Sequence, residues 1–187
     1  RVSASEAEGC GFDSRRPHHG SALDDEARMR RALALAAAAE VGGDVPVGAV
    51  LVCGETIVEA QNERERRADP TAHAEMLAIA EAARRIGAWR LADATLYVTK
   101  EPCVMCAGAI VAARIGRLVY GASDPKGGAA GSVIDLFSSA AVHHQVQVTG
   151  GILAQETGRQ LRDFFVARRP RRGGRVVEGT RLESGQT

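Results

Sequence analysis

The feature of this 187-residue chain that most restricts its fold is a pair of cysteines three residues apart, placed directly after a proline. Pro102 is typical of the first turn of a helix, where its missing N–H costs nothing, and residues 94–99 before it predict a strand. Side chains three residues apart in a helix lie on one side, and a helix N-terminus favours thiolate over thiol. The fold must therefore present Cys103 and Cys106 together, as metal-binding or redox thiols, where a strand passes into a helix.

A histidine and a glutamate begin a second helix, which the sequence predicts over residues 72–87. One imidazole and two thiolates form a ligand set suited to Zn²⁺. Three protein ligands leave the fourth position to water, which is the usual arrangement of a catalytic zinc site. Glu75 need not bind the metal and can instead move a proton to and from that position. His73, Cys103 and Cys106 thus predict a catalytic zinc site where two helix N-termini meet.

Two other uses of the cysteine pair remain open at this point. A closed structural zinc site would need a fourth ligand, for which the candidates are Cys10, Cys53, His143 and His144. None of these has the spacing of a zinc knuckle, and Cys53 lies in a predicted core strand, where a cysteine behaves as a small apolar residue. His143 and His144 are expected to form a solvated loop pair. A redox pair is the second alternative, but it would leave His73 without a role.

Apolar periodicity and turn signals predict a mixed α/β fold. Helices are predicted at 24–41, 72–87, 102–113 and 154–169, strands at 47–53, 56–61, 94–99, 117–121 and 145–149, and a further short helix at 133–139. The first two strands form a hairpin, and the later strands follow helices, as in right-handed crossovers. We therefore expect a three-layer α/β/α sandwich with a five-stranded mixed sheet.

Charge is distributed unevenly along the chain, although the net charge is only +1. Residues 159–187 carry eight arginines and three acidic residues, which gives +5 and leaves −4 for residues 1–158. A basic end on an acidic body indicates an anionic partner, and the alternative is a solvated tail without a partner. Residues 1–22 and 170–187 lack apolar periodicity. We expect them to be disordered tails around a single domain at 23–169.

The composition is that of an ordinary globular protein, with 45% apolar and 25% charged residues, which excludes collagen-like and wholly disordered chains. No apolar run approaches the ~20 residues of a membrane span. Residues 1–20 contain no apolar signal-peptide region. We therefore expect a cytoplasmic protein without a membrane partner, in a compartment where thiols remain reduced.

The two short motifs that contain the predicted metal ligands and Glu75 resemble a known signature. His73–Glu75 and Pro102–Cys106 are similar to the H-x-E and P-C-x-x-C motifs of the zinc-dependent cytidine and deoxycytidylate deaminase superfamily. The flanking residues 45–50, 69–75, 101–108 and 128–132 narrow the resemblance to the bacterial tRNA-specific adenosine deaminases. The resemblance covers residues 24–169.

This resemblance implies a cytidine-deaminase-like fold and hydrolytic deamination of adenosine to inosine at the wobble position of tRNA, with an arginine tRNA as substrate. It implies one Zn²⁺ per chain, held by His73, Cys103 and Cys106. It also implies that a zinc-bound hydroxide attacks C6 of the adenine while Glu75 moves the proton.

The resemblance further implies a homodimer that binds the anticodon arm of tRNA with residues of both subunits. The substrate-binding positions that it carries over are Asn62, Asp124, Phe164, Phe165 and Arg168. Lys100 departs from the family pattern, which has an apolar or small residue there, and we expect this lysine to point to solvent or toward RNA.

Two other functions use the same residues. A deaminase of a free nucleobase or nucleoside, such as guanine or cytosine, shares the four site residues but needs no basic terminal helix carrying Phe164 and Phe165. A non-catalytic, zinc-stabilised RNA-binding module would need no carboxyl group at the open metal position, so Glu75 argues against it.

Overall fold

The computed structural model describes residues 22–140 and 142–168. Five helices and five strands occur in this part of the chain. They are α1 (Ala22–Val41), β1 (Gly48–Cys53), β2 (Thr56–Gln61), α2 (Arg64–Arg67), α3 (Ala74–Ile86), β3 (Thr95–Lys100), α4 (Val104–Ala112), β4 (Arg117–Ala122), β5 (Gln147–Gly150) and α5 (Ala154–Ala167). The two predicted tails lie outside the described residues, apart from Ala22, which begins α1.

The five strands form one mixed sheet in the order β2-β1-β3-β4-β5. Strand β1 is antiparallel to both β2 and β3, whereas β3, β4 and β5 are parallel. The predicted fold class is therefore confirmed. The parallel strands place their carboxyl ends at one edge of the sheet, so the residues that follow β3 and β4 meet there.

Helices cover both faces of the sheet. Successive strand residues point to opposite faces, so Ala49 and Leu51 of β1 pack against the layer of α3 and α4, while Val50 packs against α1. Helix α5 lies beside α1, on β3 and β4. Alanines at intervals of four residues line the buried side of α3 at Ala74, Ala78 and Ala82. Their small side chains let this helix lie close to β1 and β2.

Gly48 shows how closely α1 and the sheet approach one another. A Cβ at this position would overlap the backbone of α1 at Ala32. Only glycine therefore fits at the start of β1, and this close contact fixes where α1 crosses the central strands.

The structure differs from the predicted elements in two places. Residues 133–139 are not helical, because the Asp135 carboxylate accepts hydrogen bonds from the backbone N–H groups of Phe137 and Ser138, both at 3.1 Å, and holds a turn instead. Between the predicted strand at 56–61 and the predicted helix at 72–87, Arg64–Arg67 forms the single turn of α2, which no predicted element includes. Of the helices in the described ranges, none combines the length and apolar character required to cross a bilayer.

A buried ion pair joins α1 to the central strands. The Asp25 carboxylate, on a residue that is 4% exposed, accepts hydrogen bonds from Arg117 at 2.8 and 2.7 Å and from the Tyr97 hydroxyl at 3.0 Å. The Arg117 guanidinium holds the pKa of the Asp25 carboxyl below its usual range. Two-pronged pairs of this kind are the strongest that arginine makes, so this contact anchors the first turns of α1.

Replacing Asp25 by alanine is expected to lower the free energy of unfolding by about 3–5 kcal/mol, because the Arg117 charge is left buried without its partner. The double variant Asp25→Leu/Arg117→Met is expected to recover most of that loss, since both charges are removed together. Urea denaturation with an unchanged m value measures both effects.

An exposed ion pair on the same helix provides the control. Arg30→Ala breaks the contact between Arg30 and Glu26 and should cost less than about 1 kcal/mol. If Asp25→Ala were no less stable than Arg30→Ala, α1 would not depend on the buried pair.

Candidate metal centre and catalytic site

The three predicted metal ligands meet between the N-termini of α3 and α4. His73 is the N-cap residue of α3 and Cys103 is the N-cap residue of α4, both with extended backbone, and Cys106 lies one turn inside α4. At His73 and at Cys103 the backbone changes from an extended conformation to a helix. The two helices pack side by side, which brings their first turns together.

The distances among the three ligand atoms match those that a tetrahedral ion requires. The two sulfur atoms are 3.7 Å apart, and the His73 Nδ1 atom lies 3.8 Å from Cys103 Sγ and 3.5 Å from Cys106 Sγ. A tetrahedral Zn²⁺, with Zn–S ~2.3 Å and Zn–N ~2.0 Å, needs S···S of about 3.8 Å and S···N of about 3.5 Å. The donor set therefore fits a zinc ion without rearrangement.

The group has three ligands among the described residues, which leaves a fourth position open. His73, Cys103 and Cys106 form the sole group of three or more metal-ligating side chains found there. Cys53 is buried in β1 as part of the core, as predicted. His144 is only half-buried and its Nε2 atom lies 2.8 Å from the Ile115 carbonyl oxygen, so it is not the solvated residue that we expected. Cys10 lies outside the described residues.

The short distances among the two thiols and the imidazole shift the pKa of each thiol. Hydrogen bonds from the Cys106 thiol and the His73 imidazole lower the pKa of Cys103 to about 3. The hydrogen bond with Cys103, together with burial, raises the pKa of the Cys106 thiol. A cation at the centre would favour the thiolate form of both cysteines.

Glu75 lies beside the three ligands in the first turn of α3. The residue is 5% exposed, and its carboxyl group interacts electrostatically with His73 and Cys103. Burial raises the pKa of Glu75, and the nearby His73 only partly opposes this effect. A buried carboxyl group next to an open metal position has the placement that a proton-transferring group needs.

Asn62 immediately follows β2 and is held in place by a buried aspartate. Its side-chain nitrogen donates to Asp44 Oδ1 at 3.4 Å and to the Val45 carbonyl oxygen at 3.3 Å. Asp44, which is 1% exposed, also accepts the backbone N–H groups of Glu65 and Arg66 at the start of α2. Asp44 therefore fixes the orientation of the Asn62 amide, and the substrate contact of Asn62 stays a prediction.

A glycine-rich loop at 124–132 follows β4 and lies against the ligand-bearing turn. Ala129 donates its backbone N–H to the Pro102 carbonyl oxygen at 2.8 Å, and Gly128 forms a β-bridge with Cys103. This loop thus touches the backbone of a metal ligand, at the edge of the sheet where the parallel strands end.

Lys100 and Asp124 form an ion pair at the start of this loop. The Lys100 Nζ atom lies 2.6 Å from Asp124 Oδ2. Burial raises the pKa of the Asp124 carboxyl, but Lys100 and the neighbouring backbone donors outweigh it, so the net shift is downward. Lys100 therefore pairs within the protein although its side chain is 33% exposed, and it offsets the charge of a predicted RNA-contacting residue. An RNA contact of Lys100 itself stays a prediction.

The predicted RNA-contacting residues of α5 differ in exposure. Phe164 is 3% exposed, and the Arg168 guanidinium lies 4.2 Å from the centre of its ring while donating to the Gly43 carbonyl oxygen at 2.7 Å. Phe165 is 51% exposed and meets Phe164 edge-on. Phe164 and Arg168 thus hold the end of α5 on the domain, and the Phe165 ring is exposed. The RNA contacts of all three residues stay predictions.

Comparison with known proteins adds independent evidence. The model of a family described as MafB19-like deaminase matches residues 23–169. The chain is 50% identical over 142 residues to a tRNA-specific adenosine deaminase of Bacillus subtilis, covering 75% of this chain and 88% of the relative. It is also 50% identical over 147 residues to a protein of the same name from Haemophilus influenzae, covering 78% of this chain and 85% of the relative.

A solved structure from a study of A-to-I editing by tRNA:A34 deaminases at the wobble position shares the fold. The TM-score is 0.70 at 44% sequence identity, with 72% of this chain and 99% of that chain covered. The fold, the ligand group and these matches define the protein as a deaminase of the cytidine deaminase superfamily. Within it, the chain belongs to the tRNA-specific adenosine deaminase family.

Proposed function

We propose that this chain hydrolyses the exocyclic amine of adenosine to give inosine at the wobble position of tRNA, with an arginine tRNA as the substrate. The observation that carries the proposal is the placement of buried Glu75 beside an incomplete ligand set of His73, Cys103 and Cys106. A purely structural metal site needs no proton-moving group at its open position. Family membership supports adenosine in tRNA as the substrate.

The ligand chemistry supports Zn²⁺ as the metal, one ion per chain. His73, Cys103 and Cys106 would hold it, and the spacing of their donor atoms suits its tetrahedral geometry. When bound, zinc would make water acidic enough to supply a nucleophile near neutral pH.

Glu75 would do the acid–base work of the reaction. Its carboxylate would accept one proton from the attacking water and deliver it to the purine ring nitrogen. It would then accept the second proton of that water, from the hydroxyl group now on C6, and deliver it to the amine, which leaves as ammonia. Burial keeps bulk water away from this carboxyl group, so the proton it accepts is passed on to the substrate. One residue can serve all these steps because they occur in sequence at one face of the base.

The substrate side of the site would be formed by Asn62 and Asp124. Asn62, oriented by Asp44, would hydrogen-bond the nucleoside, and Asp124 would approach the sugar or backbone of a neighbouring nucleotide. The wobble adenosine lies in a single-stranded loop, so turning its base into a pocket costs less than in a duplex. Phe165 would add a stacking surface on α5, supported by Phe164 and Arg168.

We further propose that the working unit is a homodimer that contacts the anticodon arm with both subunits. Apolar side chains are exposed next to the site at Val104, Val133 and Ile134, which are 55%, 53% and 43% exposed. A second copy would cover them. Light scattering across a range of protein concentrations tests this, and a monomer at all of them would contradict it.

The activity is tested by incubating purified protein with an arginine tRNA, with the same tRNA carrying guanosine at the wobble position, and with free adenosine, guanine and cytosine. Inosine should form only in the first tRNA, as read by mass spectrometry of the digested RNA. Conversion of a free base or nucleoside without conversion of tRNA would favour the alternative, a small-molecule deaminase.

The basic C-terminal segment is expected to contribute RNA affinity and no chemistry. Residues 169–187 carry five arginines and two glutamates. Truncation after Arg168 keeps the contacts of Arg168 with Phe164 and Gly43, yet removes this charge. Each phosphate contact that is lost should make the slope of log affinity against log salt shallower by about 0.7–0.9. Turnover at saturating RNA should stay unchanged.

A matched pair of variants separates a local contact from a general effect of charge. Arg171→Gln/Arg172→Gln should make the salt slope shallower, whereas Arg84→Gln/Arg85→Gln, which removes the same charge from exposed positions on α3, should not. Equal slopes for the truncated and complete chains would mean that the segment does not touch phosphate.

A further inference from the structure

Glu101 is a buried carboxylate between β3 and the ligand-bearing turn, and the proposed chemistry does not use it. The residue is 2% exposed. Burying a carboxylate is costly unless its oxygen atoms accept hydrogen bonds. A buried carboxylate is therefore stable only where neighbouring N–H and O–H groups donate hydrogen bonds to it. The segment that supplies these donors shows what the carboxylate holds in place.

Among the described residues, its hydrogen-bond donors belong to one segment, the glycine-rich loop 124–132. The carboxylate accepts the backbone N–H groups of Asp124, Ala130 and Ser132 at 2.9, 2.9 and 3.0 Å, and also the Ser132 hydroxyl. These donors span nearly the full length of the loop. One side chain thus organises a segment that contains no helix and no strand.

The backbone of loop 124–132 passes close to the Glu101 carboxyl group. A Cβ atom at Gly128 would overlap the Glu101 carboxyl group, so any larger residue there would have to displace that carboxyl group from its donors. Gly128 in turn forms the β-bridge with Cys103. Glu101 is therefore connected to the metal-ligand turn in two ways, through the chain by its position two residues before Cys103 and through space by the loop that it holds.

We propose that Glu101 is a positioning residue that holds loop 124–132 against the ligand-bearing turn and so sets the wall of the substrate pocket on that side. This inference rests on the proposed function. Glu75 and Cys106 lie inside α3 and α4, whose own backbone hydrogen bonds hold them, whereas the loop contacts the ligand-bearing turn through the backbone of Pro102 and Cys103. Loosening the loop should therefore weaken substrate binding far more than it slows proton transfer.

Glu101→Gln tests this role at nearly constant volume. Glutamine places an NH₂ donor where a carboxylate oxygen accepts, so at least one loop N–H group faces another donor. Hydrogen exchange of the Ala130 and Ser132 amides should become at least tenfold faster. With an anticodon stem-loop RNA of the arginine tRNA, KM should rise at least tenfold, kcat should stay within threefold, and zinc content should be unchanged.

Two further variants sharpen the comparison. Glu81→Gln changes a carboxylate on α3 that pairs with Arg84 and Arg85 and not with the loop, so it should leave loop exchange and KM unaltered. Ser132→Ala removes one donor to Glu101 and should shift both quantities in the same direction by about threefold. This milder variant decides the matter if Glu101→Gln does not fold.

Unchanged amide exchange in Glu101→Gln and Ser132→Ala would overturn the anchoring role. Faster exchange with an unchanged KM, or a loss confined to kcat, would overturn the positioning role. If the wild-type protein converted no adenosine in any RNA, the proposed function would fail on that result alone. The exchange measurement and the affinity for the stem-loop RNA would still decide whether Glu101 positions the loop.

Discussion

Replacing Glu75 by alanine or glutamine is expected to lower the rate of inosine formation by 10²- to 10⁴-fold while zinc content and fold are retained. Acid–base help of this kind contributes about 3–5 kcal/mol to lowering a barrier. Glu75 is buried beside the ligands but outside the group that could bind the metal, so its loss removes proton transfer without removing a ligand. Single-turnover rates at saturating stem-loop RNA isolate the chemical step.

A second glutamate on the same helix gives the matched control. Glu81→Gln alters a surface carboxylate of α3 and should leave the single-turnover rate unaltered. Glu75→Gln preserves side-chain shape, so a rate as low as that of Glu75→Ala would assign the effect to the acid function and not to packing. Activity within about threefold of wild type in both Glu75 variants would mean that another group moves the proton.

The regular elements near the site could be predicted because their signals are local. Strand β2 was expected at 56–61 and is found at Thr56–Gln61, and β1 differs from its prediction by one residue. Alternation of apolar residues in a strand and the turn at Gly54 depend only on near neighbours in the chain. The helix starts at Pro102 and after Pro70 carry signals of the same kind.

The helix predicted at 133–139 is wrong because hydrogen bonds from a side chain within this stretch compete with those of a helix. This stretch has apolar residues at helical spacing, yet Asp135 hydrogen-bonds the backbone ahead of it and Ala130 forms a β-bridge with Asp135. An aspartate that competes for backbone N–H groups weakens a helix from within. Loop 124–132, which directly precedes this stretch, is further held by Glu101, which lies more than twenty residues earlier in the sequence.

The ligand group could be predicted from spacing, but its supporting residues could not. Cys103 and Cys106 are close in the chain, so their spacing alone predicts a pair of metal ligands. The imidazole of His73 completes a set of three. Asp44 and Glu101 are ordinary acidic residues in sequence. Their importance comes from burial and from donors contributed by distant segments, and neither property has a local signature. The hints for Glu101 were its adjacency to Pro102 and its place in segment 101–108, which resembles the family, and neither indicates what it holds.

Replacing Cys103 by alanine is expected to abolish high-affinity zinc binding and all activity, and to destabilise the protein. Two ligands hold zinc far more weakly than three, and the ion joins the first turns of α3 and α4, so its binding energy contributes to the stability of the fold. With free zinc at 1,000 times the dissociation constant, that contribution is about 4 kcal/mol. Elemental analysis gives the zinc content, and thermal unfolding gives the stability.

Chelation distinguishes loss of the metal from loss of a buried side chain. Removing zinc from the wild-type protein should lower its stability to nearly that of Cys103→Ala, and the same treatment should leave the variant unaffected. Cys53→Ala changes a core cysteine outside the ligand group and should keep one zinc per chain, with only the modest cost of a small cavity. Active wild-type protein that contained no zinc, or a Cys103→Ala variant that bound zinc as tightly as wild type, would contradict the proposed metal centre. In either case the group formed by His73, Cys103 and Cys106 would need a different explanation for its tetrahedral spacing.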